Sequence, residues 1–111
     1  MPGNLTPILA SCPLFKDISI ELIEKVTGFS EYRTHHQGDV LIHKGNVPAA
    51  LFVVISGKVR IFNEDVLLAE SGPLSVLGES FLADATASAT IVAGEGLETI
   101  EIPKQLFYKL S

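Results

Sequence analysis

Residues Leu51–Phe62 read LFVVISGKVRIF. Leu51 to Ile55 are apolar without a break, the mark of a short strand buried on both faces. Ser56-Gly57 then reads as a hairpin turn. After it, Lys58, Arg60 and Asn63 alternate with Val59, Ile61 and Phe62, the pattern of a return strand with one wet face.

The same kind of punctuation continues outward in both directions. Upstream, Ser30 to His35 alternates, Gln37-Gly38-Asp39 is a turn, Val40 to His43 is a strand, and Lys44-Gly45-Asn46 turns into the loop Val47-Pro48-Ala49. Downstream, Asn63-Glu64-Asp65 is a tight turn leading into Val66 to Glu70. Pro73 keeps Ser71 to Leu74 out of a central strand. Ser75 to Leu77, Ser88 to Ala93 and Glu98 to Ile102 complete the set, the last two joined at Gly94-Glu95-Gly96. Short strands at this spacing with glycine at the turns predict a mainly β chain, a sandwich or roll.

Helices are expected at both ends. Leu5, Ile8 and Leu9 have helical spacing. Ser19 suits an N-cap with Glu21 in the first turn, and the helix runs to about Thr27, with Ile20, Ile23 and Val26 on one stripe and Leu22 widening it. Gly28 is expected to end it. Pro103 fits the first turn of a closing helix, Lys104 to Leu110, with Leu106, Phe107 and Leu110 as its apolar face.

The chain has 111 residues, enough for one domain over 1–111, and carries a net charge of −5 with no run of Lys or Arg. That balance argues against a nucleic-acid surface. No apolar run approaches the ~18 residues of a membrane span. The start, MPGNLTPILASCPL, lacks the basic region of a signal peptide. Asn4-Leu5-Thr6 matches a glycosylation sequon, which has no meaning without secretion. Cys12 is the one cysteine, which excludes an internal disulfide and fits a reducing, cytoplasmic setting. Beside Pro13 and Leu14 it reads as a small buried hydrophobe.

The stretch with binding character is Leu77–Ala93, LGESFLADATASATIVA. Gly78 lets the backbone approach a ligand closely. A helical turn over Glu79 to Leu82 would aim its first N–H groups at an anion. The Glu79 carboxylate would accept from ligand hydroxyls, and Ser80 and Ser88 would donate to phosphate oxygens. The same residues also suit a plain tight turn between two core strands.

Other chemistry is not supported. His35, His36 and His43 are the only histidines. Adjacent strand residues face opposite ways, so His35 and His36 are poorly placed to share a metal or haem. Ser56-Gly57 and Gly78-Glu79-Ser80 do not make a GxSxG elbow, and no glycine-rich loop precedes Lys-Ser or Lys-Thr. Glu79, Asp84, Glu95 and Glu98 are read as solvated turn residues. No catalytic constellation is present, and no enzyme is expected.

From about Leu14 to Leu110 the chain resembles a cyclic nucleotide-binding domain of the catabolite-activator effector type. The resemblance rests on "PLFKDIS", on Gly38, Leu41 and Gly45, on "LFVVISGKVRIF", "VLGES" and "ASATIVA", and on "IPKQLFYKL", in that order. It implies an antiparallel β-roll, jelly-roll-like (a double-stranded β-helix), with short flanking α-helices at both ends. It further implies a site in which N–H groups near Gly78, Glu79, Ser80 and Ala89 face a cyclic phosphate. Glu79 would bind the ribose 2′-hydroxyl, and Ser88 would offer its own hydroxyl.

Three positions depart from the family pattern. Ala87 stands where the family places an arginine against the phosphate, and no Arg or Lys lies between Arg60 and Lys104. A lost charge-assisted, bidentate pair predicts a drop on the order of 100-fold or more in affinity. Leu74 stands where many relatives have glycine, and the loop Leu82 to Ala87 is short. The expected function is a non-catalytic regulatory module with weak or absent cyclic AMP or cyclic GMP binding. The alternative is a docking or dimerisation domain with an empty pocket, and a metal, haem or other small-ligand sensor is a lesser one. A neighbouring effector domain or a second copy of the chain is the expected partner; with the sequence stopping at Ser111, before the helix that carries the family's signal would develop, the expectation is a truncated chain or a regulatory domain without its effector.

Overall fold

The computed structural model describes residues 4–110. The elements in order are α1 (Thr6–Ala10), α2 (Ile20–Gly28), β1 (Glu31–Thr34), β2 (Val40–Ile42), β3 (Ala50–Ser56), β4 (Val59–Asn63), β5 (Val66–Ser71), β6 (Val76–Leu77), β7 (Thr90–Ala93), β8 (Glu98–Pro103) and α3 (Lys104–Leu110). The strands form two four-stranded antiparallel sheets, in the orders β1-β8-β3-β6 and β2-β7-β4-β5. This is the antiparallel roll with helices at both ends that the pattern predicts.

Strand β3 explains why the roll holds together. Alternate residues leave a strand on opposite faces. Leu51 and Val53 meet Leu9, Phe15, Ile23, Val26, Ile100, Ile102 and Leu106 in a core between sheet and helices. Ala50, Phe52 and Val54 meet Ile42, Val59, Leu77, Ala93 and Leu97 in a second core between the sheets. Both faces of the run are therefore buried, as its composition requires.

The hairpin reading of Ser56-Gly57 is corrected. β3 pairs with β6 and β8, and β4 pairs with β5 and β7. With both edges of β3 occupied, the chain has to leave the sheet, and Ser56-Gly57 is a corner between the two layers. Gly57 has φ 75°, and a Cβ there would lie 2.5 Å from the backbone C and O of Gly96. The corner at Gly94-Glu95-Gly96 packs directly on it, and the Gly94 N–H donates to the Lys58 carbonyl (2.8 Å).

Several smaller expectations change. Ser19 does cap α2, its Oγ accepting from the Leu22 N–H at 3.3 Å. Ile20, however, is exposed, so the buried stripe is Ile23 and Val26 with Leu22 beside it. Gly28 is the last residue of α2 and not its left-handed terminator; the Ser30 hydroxyl donates to the Val26 carbonyl (2.6 Å) at the helix end. The strand expected from Ser88 begins only at Thr90. Glu98 lies in β8, where it accepts from the hydroxyls of Tyr32 and Ser56, so it is not a solvated turn residue. Cys12 is buried, with its thiol 3.7 Å from the Leu74 carbonyl. No helix among the described residues is long and apolar enough to cross a membrane.

Candidate functional site

The site begins at Gly78. Its φ is 89°, and a Cβ there would sit 2.7 Å from the Ala50 carbonyl oxygen, so the backbone crosses β3 at a distance only glycine permits. This crossing starts a 3-10 turn over Glu79–Ala83. Phe81 anchors the turn from below. It is buried in the helix-side core, edge-on to Phe107 with ring centroids 5.6 Å apart. Asp84, at φ 54°, ends the turn, its N–H donating to the Phe81 carbonyl (3.0 Å).

The chain then returns beside the β2–β3 loop. The Ala87 N–H donates to the Asn46 carbonyl and the Ala87 carbonyl accepts from the Gly45 N–H, each at 2.8 Å. These bonds hold Ser88 and Ala89 in the loop and delay β7 to Thr90. They also explain why the "ASATIVA" strand starts late.

Between these segments lies a cavity of about 230 Å³. All of Gly78, Glu79, Ser80, Ala87, Ser88 and Ala89 line it. Sequence reading missed the remainder of the wall: Ile42, Ile61, Ile91, Val76 and Leu77, with the hydroxyl residues Ser71 and Ser75. Ile91 is the register partner of both Ile42 and Ile61, so the three isoleucines stand abreast across the second sheet. Strand alternation could have flagged Ile61, but pairing across β2, β7 and β4 is a long-range fact.

Glu79 is the one ionisable side chain among the described residues lining this cavity, and none of them is a cation. The cations nearby in sequence are engaged elsewhere. Arg60 and Lys58 pair with Glu70, and Lys44 pairs with Glu64. Arg60 precedes Ile61 on β4, so it faces away from the cavity. The hydrogen bond from Arg60, followed by the charge of Lys58, holds the Glu70 carboxyl below the ordinary carboxylate range. Neither Phe81 nor Leu82 fills the cavity: Phe81 is in the core, and Leu82 is 52% exposed to solvent. Leu74 adopts φ 71°, the left-handed conformation glycine would take without strain.

A second, larger and more open hollow of about 510 Å³ is lined by Arg33, His35, Asp39, Phe52 and Glu101 among others. Its arginine and its histidine are already engaged. Arg33 pairs with Glu31 and Glu101, and the His35 Nε2 lies 2.8 Å from the Thr99 Oγ1. Burial is the main cause that lowers the His35 pKa below 6.5, against the opposing charges of Asp39 and Glu101. His36 lies beyond the end of β1, its N–H bonded to Asp39 at 3.0 Å. No group of metal-ligating side chains comes together among the described residues.

The family model for the cyclic nucleotide-binding domain matches residues 32–111. A similar curated relative is the cyclic AMP receptor protein of Thermus thermophilus, 31% identical over 104 residues that make up 88% of this chain and 48% of the relative. The chain thus spans about half of that relative's length. Among solved structures, a cyclic nucleotide-binding-like protein from Brucella abortus superposes with a TM-score of 0.84 at 24% identity, covering 95% of each chain. The regulatory subunit of a cAMP-independent protein kinase A from Trypanosoma cruzi, bound to guanosine, superposes with a TM-score of 0.87 at 21% identity. That match covers 96% of this chain and 38% of the other.

Proposed function

We propose a function from the premise that this chain belongs to the cyclic nucleotide-binding domain family: it is a non-catalytic sensor module whose ligand site is the cavity beside Gly78. In this reading cyclic AMP and cyclic GMP bind weakly. One observation carries it. No cation lines the cavity among the described residues, and Ala87, on its wall, stands where the family resemblance places the phosphate-binding arginine. A charged hydrogen bond contributes about 1.5–3 kcal/mol, which is about a 10- to 100-fold factor in affinity. The Trypanosoma cruzi protein, described as cAMP-independent, supports a role for this fold apart from cyclic AMP. The module works beside an effector domain in the cytoplasm and passes on a small-ligand signal, without contacting nucleic acid or membrane itself.

A second reading, docking or dimerisation, has one observation in its favour. Val66, Leu67 and Leu68 on the edge strand β5 are 62%, 50% and 57% exposed. Exposed apolar edge strands invite pairing.

Titration calorimetry with cyclic AMP and cyclic GMP, on wild type beside Ala87→Arg, tests the proposal. The expected result is an Arg variant that binds on the order of 100-fold more tightly than wild type. Wild-type binding equal to that of the variant contradicts it.

A further inference from the structure

We propose that the cavity beside Gly78 selects an uncharged ligand joining a vicinal diol to a flat ring, the chemistry of a nucleoside, over a cyclic nucleotide. The inference rests on the reading above that this cavity is the ligand site.

Charge is the first argument. With an arginine at position 87, its cation and the Glu79 carboxylate would cancel, and an anion would enter a neutral site. Here Glu79 is the one ionisable side chain lining the cavity among the described residues. A cyclic phosphate would bring a second negative charge beside it, with no cation on the cavity wall among the described residues to offset either. Like charges at close range repel even in water. An uncharged ligand avoids the repulsion and still uses the carboxylate. Ionised Glu79 is an acceptor only, and a diol offers it two donors. Hydrogen bonds to an ionised acceptor are the stronger kind.

The wall supplies the second argument. Ile42, Ile91 and Ile61 stand side by side on three adjacent strands. Neighbouring strands lie about 4.8 Å apart, so this row is about 10 Å across, a flat apolar surface for a ring system. Ser71 and Ser75 add uncharged donors and acceptors for the ring's polar edge. Size is the third. The cavity of about 230 Å³ lies below the ~300–1,000 Å³ usual for drug-sized ligands, a scale that suits one sugar and one base.

The test is calorimetry of the whole chain with adenosine, guanosine, free ribose and cyclic AMP, on wild type, Glu79→Gln and Ala87→Arg, each checked for native circular dichroism. Wild type is expected to bind adenosine or guanosine at least tenfold more tightly than cyclic AMP, and ribose more weakly than either. Glu79→Gln is expected to lose tenfold or more in nucleoside affinity and none in cyclic AMP affinity. Cyclic AMP binding to wild type as tightly as a nucleoside overturns the inference, and so does nucleoside binding that ignores Glu79→Gln. Wild type silent to every probe while Ala87→Arg binds cyclic AMP overturns this inference and leaves the cavity as the ligand site. Silence from all three proteins overturns both.

Discussion

The two hollows of the roll differ in what their charges are doing. The larger one holds Arg33, His35, Asp39 and Glu101, a set that resembles an active site at first sight. Yet Arg33 is held by two carboxylates and His35 by Thr99. Arg33 and Glu101 pair across β1 and β8, whereas Asp39 makes no ion pair among the described residues and accepts from the His36 N–H. The smaller cavity has a single carboxylate, and Glu79 makes no ion pair among the described residues. Partnered charge is structural, whereas the exposed Glu79 carboxylate, on the lining of a cavity with an apolar wall, is available to a ligand.

The comparison can be broken most forcefully at Gly78. Gly78→Val would place a Cβ 2.7 Å from the Ala50 carbonyl oxygen in a left-handed backbone. Overpacking and backbone strain together predict a loss of about 3 kcal/mol, read by urea denaturation. A loss below about 1 kcal/mol would mean that the crossing is slack and the site not preformed.

The larger hollow should tolerate more. Arg33→Gln removes ion pairs whose arginine side chain is 52% exposed. Its expected cost is below about 1 kcal/mol, with ligand binding unchanged. Weakened ligand binding in this variant would move the site to the wrong hollow. Leu74→Gly relieves a left-handed leucine at the cost of glycine's extra freedom in the unfolded chain, so a net gain of about 0.5 kcal/mol is expected by the same denaturation measurement.

The smallest effect is a pH slope at His35. Its folded pKa lies below the ordinary 6.5, mainly through burial. Between the folded value and 6.5 the unfolded chain binds the proton and the folded chain does not, so stability falls as pH drops through that window and levels off below the folded pKa. Thermal melts from pH 7.5 down to 5.5 should show this decline in wild type and a shallower one in His35→Gln. Equal slopes would mean that His35 is as free in the folded chain as in the unfolded one.

What the sequence made legible was local. The apolar run Leu51–Ile55 announced a doubly buried strand, Ser19 its helix cap, and Gly78-Glu79 the turn at the cavity. What it hid depends on pairing between distant residues. Ser56-Gly57 has the composition of a hairpin, and only the occupied edges of β3 turn it into a corner. Ile42, Ile61 and Ile91 are unremarkable singly, and only the register of three strands sets them abreast. Ser71 looks like a turn residue beside Pro73, but it ends β5 opposite Val59, and with Ser75 it lines the cavity. Ala87 could be read as a missing cation from the sequence, but not as an alanine clamped by Gly45 and Asn46.

The most direct measurement is amide chemical-shift mapping of the ¹⁵N-labelled chain during titration with adenosine. The account predicts shifts concentrated at Gly78, Ser80, Ser88, Ala89 and Ile91, with Thr34, His35 and Asp39 unmoved. Shifts concentrated at Thr34, His35 and Asp39 would contradict it and assign the ligand to the larger hollow.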